Sequence, residues 1–216
     1  PVSLAGERIR KRIADKRVLI TGGGGSIGSE LCRQVARLKP REIVLLEQTE
    51  FSLYSIALEI TEEFPDVTLH TRLGDICDEP GVVDVFLAHQ PEVVFHAAAY
   101  KHVPSLQEQV RETIRNNVLG TEIVSRVARK HACETFALIS TDKAVNPASV
   151  MGASKRLAEM LIQAQNSLSS TSFVTVRFGN VLGSAGSVVP LFEKQIYEGG
   201  PVTVTDPQVT RYFMTL

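Results

Sequence analysis

The feature that most constrains the fold is a glycine-rich loop near the amino terminus. Residues 21–28 read Thr-Gly-Gly-Gly-Gly-Ser-Ile-Gly and lie between a short apolar run and the amphipathic segment Ser26–Leu38. Gly22, Gly25 and Gly28 have the spacing T-G-x-x-G-x-x-G, which in a strand–turn–helix setting predicts a dinucleotide-binding loop. The first glycine permits the tight turn, the second lets the backbone approach a pyrophosphate at the helix amino terminus, and the third lets the helix pack on the sheet.

An acidic residue stands where such a fold binds the adenosine ribose. Glu47 follows the second apolar run, about 20 residues after the loop, as the motif requires. A carboxylate accepts hydrogen bonds from the ribose hydroxyls and repels a 2′-phosphate, so it favours NAD over NADP; a solvated turn residue is the alternative. Asp75, after the third run, suits either the adenine amine or a helix N-cap. Ala97–Ala99, after the fourth run, allow either close approach of the cofactor or simple close packing.

Apolar runs and amphipathic segments alternate along the chain. The predicted strands are Arg17–Thr21, Glu42–Leu46, Val67–Arg72, Val93–His96, Thr135–Ser140 and Ser172–Phe178. The predicted helices are Ser26–Leu38, Phe51–Glu63, Gly81–His89, Ser105–His131 with a break near Asn116, and Ser149–Ser167. Strands that are apolar on both faces are covered by helices on both sides, as in a parallel sheet. With right-handed crossovers, the alternation predicts an α/β fold with a doubly wound parallel sheet.

The pattern divides the chain into three regions. We expect a lead-in over residues 1–15, a dinucleotide-binding domain over 16–178 and the start of a substrate-binding lobe over 179–216. In the lobe, glycines are frequent around one short helix, and Val202–Thr205 has the pattern of a strand. Because the chain begins with Pro1 and the lobe is short, we expect a fragment of a longer protein whose substrate lobe is incomplete.

Charge and cysteine content narrow the function classes. Lys and Arg number 23 against 24 Asp and Glu, and the resulting net charge of -1 argues against a nucleic-acid-binding surface. Three separated cysteines, Cys32, Cys77 and Cys133, predict reduced thiols in a cytoplasmic protein. No apolar run reaches the roughly 18 residues of a membrane span. No group of His, Cys and carboxylate residues has metal-ligand spacing, so we predict no metal.

Further motifs follow the predicted strands in order. They are His96-Ala-Ala-Ala99, Asn117-x-x-Gly-Thr121, Ser140-Thr-Asp-Lys-Ala-Val-Asn-Pro147, Met151-Gly-Ala-Ser-Lys155, Arg177-Phe-Gly-Asn-Val-Leu-Gly-Ser184 and Thr210-Arg-Tyr-Phe-Met214. With the glycine loop, they resemble the extended short-chain dehydrogenase/reductase superfamily, which has a Rossmann fold. The resemblance is closer to the nucleotide-sugar 4,6-dehydratases, which act on UDP-N-acetylglucosamine in bacterial surface-polysaccharide pathways.

One position departs from the superfamily pattern. The superfamily has a catalytic Tyr four residues before the Lys, whereas this chain has Met151 four residues before Lys155. Residues i and i+4 share a helix face, so Met151 would lie where the phenol is expected, and a thioether cannot transfer a proton. A Met here resembles the large membrane-anchored dehydratases. The resemblance therefore implies a homo-oligomeric parent protein at the cytoplasmic face of the bacterial inner membrane, anchored by a segment outside this chain.

The resemblance also implies a reaction on a UDP-sugar. Tightly bound NAD, or NADP, oxidises C4, water is eliminated across C5–C6, and the hydride returns to C6, which regenerates the cofactor in each cycle. Lys143 would be the C5 base, Asp142 the acid on the C6 hydroxyl, and Thr141 would bind O4. A Lys base needs a lowered pKa and an Asp acid a raised one, and an ion pair between them would oppose both shifts. A surface turn is the alternative interpretation of this segment.

The expected site residues fall into three sets. The catalytic residues are Thr141, Asp142, Lys143, Met151 and Lys155. The cofactor-binding residues are Gly22, Gly25, Ser26, Ile27, Gly28, Glu47, Asp75, Ile76, Ala97, Ala98, Ala99, Lys101, Asn116 and Lys155. The substrate-binding residues are Lys101, Thr141, Asn180, Ser187, Val188, Pro190, Gln195 and Arg211, the last as a clamp for the diphosphate. Two rival functions stay open: a nucleotide-sugar 4-epimerase or reductase, although these rely on the missing Tyr, and a non-catalytic dinucleotide sensor.

Overall fold

The computed structural model describes residues 6–167, 169–184, 187–204 and 206–215. The strands are β1 Arg17–Thr21, β2 Glu42–Glu47, β3 Leu69–Leu73, β4 Val93–His96, β5 Thr135–Ile139, β6 Ser172–Val176, β7 Asn180–Val181 and β8 Phe213–Met214. The α-helices are α1 Gly6–Ile13, α2 Ser26–Arg37, α3 Glu50–Glu63, α4 Glu79–His89, α5 Val103–Gln107, α6 Val110–Ile114, α7 Thr121–Lys130, α8 Val150–Asn166 and α9 Val188–Tyr197. A π-helical turn covers Arg115–Gly120 and a 3₁₀ turn covers Asp142–Ala144.

Strands β1 to β6 form one parallel sheet in the order β3-β2-β1-β4-β5-β6. β1 lies at the centre, where Val18 pairs with Ile43 of β2 on one side and with Val93 of β4 on the other. The chain order reverses between β1 and β4, and all six carboxyl ends meet at one edge. Sheets of this kind bind ligands in the crevice outside that reversal. The predicted doubly wound α/β fold is confirmed.

Helices cover both faces of the sheet, and consecutive residues of one strand enter opposite cores. Leu19 of β1 packs with Phe136 in the core beneath α4, α7 and α8. The next residue, Ile20, packs with Ile60 in the core beneath α2 and α3. All four side chains are fully buried. This two-sided burial explains why the inner strands β1, β2, β4 and β5 are largely apolar runs, whereas the edge strands β3 and β6 are mostly exposed.

Most element boundaries differ from the predicted ones by one or two residues. β3 begins at Leu69 rather than Val67, and β6 ends at Val176 rather than Phe178. The predicted helix over 105–131 is divided into α5, α6, the π-helical turn and α7, and the break near Asn116 is confirmed because Asn116 lies in that turn. α1 lies in the lead-in, for which the sequence predicts no helix.

The segment after residue 178 contains little regular structure and few buried residues. β7 and β8 pair in parallel, and α9, which lies between them in sequence, has no buried side chain. The predicted strand at 202–205 is wrong for residues 202–204, which have no regular structure, and Thr205 lies outside the described residues. The domain boundary at 178 stays a prediction.

Two of the compositional expectations can be compared with the structure. Over the described residues, no helix combines the length and the apolar character that crossing a bilayer requires. Cys32, Cys77 and Cys133 are free thiols. Burial raises the pKa of Cys32 and Cys133 to about 12, so both stay protonated at neutral pH.

Candidate active site

The glycine loop forms the tight turn between β1 and α2. Gly22 has a φ of +69°, and a Cβ there would lie 2.6 Å from the backbone nitrogen of Ala98. A Cβ at Gly28 would lie 1.9 Å from the Gly22 carbonyl oxygen, so only glycine lets α2 pack against the turn. A Cβ at Gly25 would meet only that oxygen, at 3.4 Å. Gly25 is the N-cap of α2 and provides no side-chain cap, which suits an anion at this helix end.

Glu47 connects the glycine loop to the segment that follows β2. Its Oε2 accepts a hydrogen bond from the Gly24 nitrogen at 3.2 Å, and its Oε1 accepts one from the Thr49 nitrogen at 3.0 Å. The side chain lines a cavity of about 210 Å³ at the switch of strand order. Predicted cofactor residues that line the same cavity are Gly22, Gly25, Ile76, Ala97, Ala98, Ala99 and Asn116. The bond to Gly24 is not visible in the sequence motif.

Asp75 lies outside this lining. Its Oδ1 accepts from the Cys77 nitrogen at 2.8 Å, and its Oδ2 accepts from Arg115 Nη2 at 2.9 Å. Burial alone would raise the pKa of Asp75, but these hydrogen bonds outweigh it and the pKa is lowered. Asp75 is not the N-cap of α4, which is Asp78. Contact between Asp75 and the adenine stays a prediction.

A larger cavity of about 1040 Å³ continues from the glycine loop along the carboxyl edge of the sheet. Predicted residues that line it are Gly22, Gly25, Ser26, Ile27, Gly28, Ala97, Ala99, Lys101, Thr141, Lys143, Met151, Lys155, Asn180, Ser187, Val188 and Arg211. The structure therefore brings members of all three predicted sets, but not every predicted residue, to one continuous cavity. Burial lowers the pKa of Lys101, which lies in the wall after β4.

The segment after β5 places one threonine, one carboxylate and one lysine in direct contact. Thr141 is the N-cap of the 3₁₀ turn, and its Oγ1 donates to Asp142 Oδ1 at 2.9 Å. Lys143 Nζ donates to the same Oδ1 at 3.0 Å and to Asn180 Oδ1 at 3.0 Å. Burial alone would raise the pKa of Asp142, but the bonds from Lys143 and Thr141 outweigh it and lower the pKa. Asp142 is thus a carboxylate in this state, and it holds Lys143 at the cavity wall without lining the cavity itself.

Helix α8 carries the lysine and the methionine of the motif on one face, as predicted. Met151 and Lys155 are both 5% exposed, and both line the large cavity. Lys155 Nζ donates to the carbonyl oxygen of Ile139 at 2.7 Å. Burial lowers the pKa of Lys155 to about 8, while the charge of Glu159 opposes that shift. A Cβ at Gly152 would lie 2.5 Å from the Lys143 carbonyl oxygen, so this glycine lets α8 approach the 3₁₀ turn.

The predicted substrate residues of the lobe divide into two groups. Asn180, Ser187, Val188 and Arg211 line the large cavity. Ser187 Oγ is buried and has no hydrogen-bond partner within the described part of the chain, so it is available to a ligand. Pro190 and Gln195 do not line the cavity. Gln195 instead forms two hydrogen bonds with Thr203, from Nε2 to Oγ1 at 2.9 Å and from the Thr203 nitrogen to Oε1 at 3.0 Å.

His96, the last residue of β4, is a fully buried histidine. The Nδ1 of His96 lies 2.7 Å from Thr21 Oγ1, and its Nε2 lies 3.0 Å from Thr121 Oγ1. The hydroxyl of Thr121 donates to the Asn117 carbonyl oxygen at 2.8 Å, so it accepts from His96. Burial lowers the pKa of His96 to about 3, which keeps the ring neutral. The sequence motif marks His96 and Thr121 but does not reveal that His96 links β1 to α7 through Thr21 and Thr121.

Tyr100 is a lining residue that sequence reasoning missed. Its backbone nitrogen donates to Asn117 Oδ1 at 2.8 Å, and its carbonyl oxygen accepts from Asn117 Nδ2 at 3.0 Å. Asn117 Nδ2 also donates to Ser154 Oγ of α8 at 3.1 Å. Asn117 therefore joins the turn after β4 to α8, the helix that carries Lys155. The presence of Asn117 in a motif is the sequence signal that could have pointed to this turn.

One group with metal-ligand chemistry lies at the opposite edge of the sheet, where sequence spacing did not predict it. Ligand atoms of Glu42, His70 and His89 lie within 4.8 Å of one another. Arg72 Nε donates to His89 Nε2 at 3.1 Å. The proton of neutral His89 is then on Nδ1, which faces Glu42 at 3.8 Å. This nitrogen cannot bind a metal in that tautomer, and within the described residues the group is held by the bond from Arg72 and by contacts of Glu42 with both imidazoles.

Comparison with known proteins identifies the family. A model of the family described as polysaccharide biosynthesis protein matches residues 18–216. The chain belongs to this family. It is 52% identical over its whole length to the probable polysaccharide biosynthesis protein EpsC of Bacillus subtilis and 50% identical to the capsular polysaccharide biosynthesis protein CapD of Staphylococcus aureus. The chain spans 36% of the length of each of these two relatives.

More distant matches carry other names. A UDP-glucose 4-epimerase of Rickettsia canadensis is 37% identical over 94% of this chain and 60% of its own length. The solved structure of Pen from Bacillus thuringiensis has a TM-score of 0.88 and 34% identity, covering 94% of this chain and 64% of that one. The structure of DesIV, a dTDP-glucose 4,6-dehydratase from Streptomyces venezuelae with NAD bound, has a TM-score of 0.82 at 21% identity and covers 92% and 68%. The likeness to DesIV supports the Rossmann-type fold.

Proposed function

We propose that the protein is a UDP-N-acetylglucosamine 4,6-dehydratase, which makes a UDP-4-keto-6-deoxy-N-acetylhexosamine for surface-polysaccharide synthesis. One observation carries the proposal: a single cavity runs from the glycine loop to Thr141, Lys143 and Lys155, with Met151 in the place of the superfamily Tyr. The names of EpsC and CapD support the pathway. A homo-oligomer, a cytoplasmic location and a membrane anchor outside this chain stay predictions.

The cavity suits NAD as a tightly bound cofactor. The pyrophosphate would lie on the loop at Gly25, which a side chain would obstruct, and in front of the uncapped end of α2. Glu47 would accept the hydroxyls of the adenosine ribose, which favours NAD over NADP. The ammonium of Lys155 would bind the nicotinamide ribose. A bound nicotinamide would supply the hydride acceptor for C4 of the sugar and the hydride donor for C6.

Three polar residues of the lobe suit the UDP-sugar. The buried Ser187 hydroxyl and the Asn180 amide offer neutral hydrogen bonds at the cavity wall. The guanidinium of Arg211 is exposed at the rim and matches a diphosphate in a bidentate way. Lys101, with a pKa lowered by partial burial, also lines the cavity.

The O4 proton needs an acceptor other than the missing Tyr. Thr141 Oγ1 donates to Asp142 Oδ1, so a proton that passes from O4 to Thr141 can move on to Asp142. Because the pKa of Asp142 is lowered, this residue is a carboxylate at the start of the cycle and has an oxygen to which that proton can bind. Asp142, now a neutral acid, then protonates the leaving C6 hydroxyl, which departs as water.

The C5 proton goes to Lys143, which must be neutral at that step. Once the O4 proton has reached Asp142, the carboxylate that stabilises the Lys143 ammonium is gone, so the ammonium releases its proton to solvent and becomes the neutral amine before it takes the C5 proton. Lys143 later returns the proton to C5. Over one cycle, Asp142 passes the O4 proton to the leaving water, Lys143 passes the C5 proton back to C5 and regains its own proton from solvent, and the sugar loses one water. In this order of steps the ion pair is lost before either group acts on C5 or C6.

The test is product analysis of the intact protein with UDP-N-acetylglucosamine, followed by NMR in deuterated water. The proposal predicts a 4-keto-6-deoxy product that carries deuterium at C5. A C4 epimer with an intact C6 hydroxyl would instead establish an epimerase, the second candidate, which the Rickettsia relative favours. An unchanged sugar with NAD bound would establish a non-catalytic sensor.

A further inference from the structure

Glu159 is a buried carboxylate on α8, one helical turn after Lys155. Its side chain is 5% exposed and accepts hydrogen bonds from Ser140 Oγ at 2.6 Å and from Arg177 Nε at 2.8 Å. Arg177 Nη2 and Arg156 Nη1 both donate to the other oxygen, Oε2, the latter at 3.2 Å, so Arg177 binds Glu159 in a bidentate way. Burial alone would raise the pKa of Glu159, but the bonds from Arg177 and Ser140 outweigh it and the pKa is lowered. Glu159 is therefore ionised and fully partnered.

The two main donors stand at the ends of strands that carry site residues. Ser140 directly follows β5 and starts the segment that leads to Lys143. Arg177 directly follows β6 and starts the segment that leads to Asn180. A single carboxylate on α8 thus binds the first residue of each segment.

The same two segments meet again at the cavity. Backbone bonds continue between them past the regular strands, from the Ser140 nitrogen to the Val176 oxygen at 2.7 Å and from the Asp142 nitrogen to the Phe178 oxygen at 3.0 Å. At the far end, the side chains of Lys143 and Asn180 are hydrogen-bonded. The position of that pair relative to α8 therefore depends on where Glu159 holds the strand ends.

We propose that Glu159 is a positioning residue, which holds the ends of β5 and β6 against α8 so that Lys143, Asn180 and Lys155 face one cavity. The inference rests on the proposed dehydratase function. Glu159 does not line the cavity, so it acts through its neighbours and not on the sugar or the nicotinamide. An ionised carboxylate suits this task because its two oxygens accept a hydroxyl and a guanidinium at once.

The first variant is Glu159→Gln in the intact protein. We expect kcat to fall by about a hundredfold, because a shift of roughly 1 Å in catalytic groups has that effect. Affinity for ADP, which would contact the glycine loop and Glu47 and not the segments after β5 and β6, is expected to stay unchanged. The matched control is Glu79→Gln, which breaks another bidentate Arg–carboxylate pair, with Arg126 at 2.8 and 2.9 Å, between α4 and α7. We expect kcat of this control to be normal.

A second variant separates positioning from folding. Glu159→Gln leaves the Arg177 charge without its partner, whereas Glu159→Gln combined with Arg177→Met removes both charges and is expected to restore the thermal midpoint. Positioning predicts that kcat stays low in this double variant, and a purely structural role predicts that kcat recovers. Recovery of kcat would overturn the proposal.

A measurement that needs no turnover tests the positioning role of Glu159 independently of the proposed dehydratase function. The ¹⁵N signal of the Asn180 side-chain amide reports its bond to Lys143 in the absence of substrate. We expect this signal to shift in the double variant and not in Glu79→Gln. A wild-type protein that makes no 4-keto product would refute the function, whereas an unshifted Asn180 signal in the double variant would refute positioning by Glu159.

Discussion

The two halves of the cavity are built by different means. In the glycine-loop half, the fit is steric and local, since a Cβ at Gly28 would lie 1.9 Å from the Gly22 oxygen. In the catalytic half, the fit depends on charged side chains from segments distant in sequence, as when Lys143 binds Asn180. The first half is therefore specified by a short motif, and the second by tertiary contacts. Changes in the catalytic half should abolish chemistry and spare nucleotide binding, whereas changes in the loop should remove both.

The largest effect is expected at Gly28. In Gly28→Ala, the new methyl group overlaps the Gly22 carbonyl, so α2 must move, and overpacking of this kind costs about 3 kcal/mol of unfolding free energy. We expect no measurable ADP or NAD binding by calorimetry. The control is Gly25→Ala, whose Cβ would lie 3.4 Å from the same oxygen. It should keep wild-type stability in urea and lose only affinity, and equal stability losses in the two variants would contradict the steric account.

The next effect concerns the catalytic half alone. Asp142→Asn and Lys143→Ala should each lower kcat by about a thousandfold, since each removes a group that transfers a proton. NAD should remain bound in both, as measured by cofactor content after gel filtration. Lys194→Ala, which breaks the exposed ion pair with Glu198 on α9, is the control and should have normal kcat. Near-normal turnover in both site variants would refute their assigned roles.

The buried lysine makes stability depend on pH. Burial lowers the pKa of Lys155 from 10.5 in the unfolded chain to about 8. Between these values the unfolded state binds more protons, so the folded state gains stability as pH rises from about 8 to 10.5 and loses it as pH falls again. Relative to Lys155→Met, the wild-type unfolding free energy should rise by up to about 3 kcal/mol across that window. A pH-independent difference would show that Lys155 is not desolvated.

A smaller effect is expected at Glu47. Glu47→Gln removes the negative charge that opposes a 2′-phosphate and keeps an oxygen that can accept from the Gly24 nitrogen. The ratio of NADP to NAD affinity should rise by about tenfold, or ~1.4 kcal/mol, by calorimetry. Glu50→Gln, at the start of α3, supplies the matched charge change outside the cavity lining. An unchanged ratio in Glu47→Gln would mean that Glu47 only shapes the loop.

The smallest effects are expected in the lobe. Gln195 binds Thr203 and does not line the cavity, so Gln195→Ala should leave KM for the UDP-sugar unchanged and lower the unfolding free energy by about 1 kcal/mol. Arg211→Ala should raise KM, because Arg211 stands at the cavity rim. Steady-state kinetics of the two variants measure KM for the UDP-sugar. A raised KM in Gln195→Ala would show that Gln195 contacts the substrate after all.

The sequence was most informative where one local rule sets the structure. The glycine spacing, the two-sided apolar strands and the i, i+4 relation of Met151 and Lys155 each depend on neighbouring residues, and each was predicted correctly. The contact of Gln195 with Thr203 could not be read from the chain, because a side chain's partner depends on how the lobe folds. The same holds for Glu159, whose two main donors are 18 and 19 residues away.

The most direct test of the central claim uses UDP-N-acetylglucosamine that carries deuterium at C4. The intact protein is incubated with this sugar in ordinary water, and the product is analysed by NMR. The account predicts a 4-keto product whose C6 methyl group contains the deuterium, because the hydrogen leaves C4 and returns to C6 within one cavity. Deuterium that stays at C4, or a sugar that keeps its C6 hydroxyl, would contradict it.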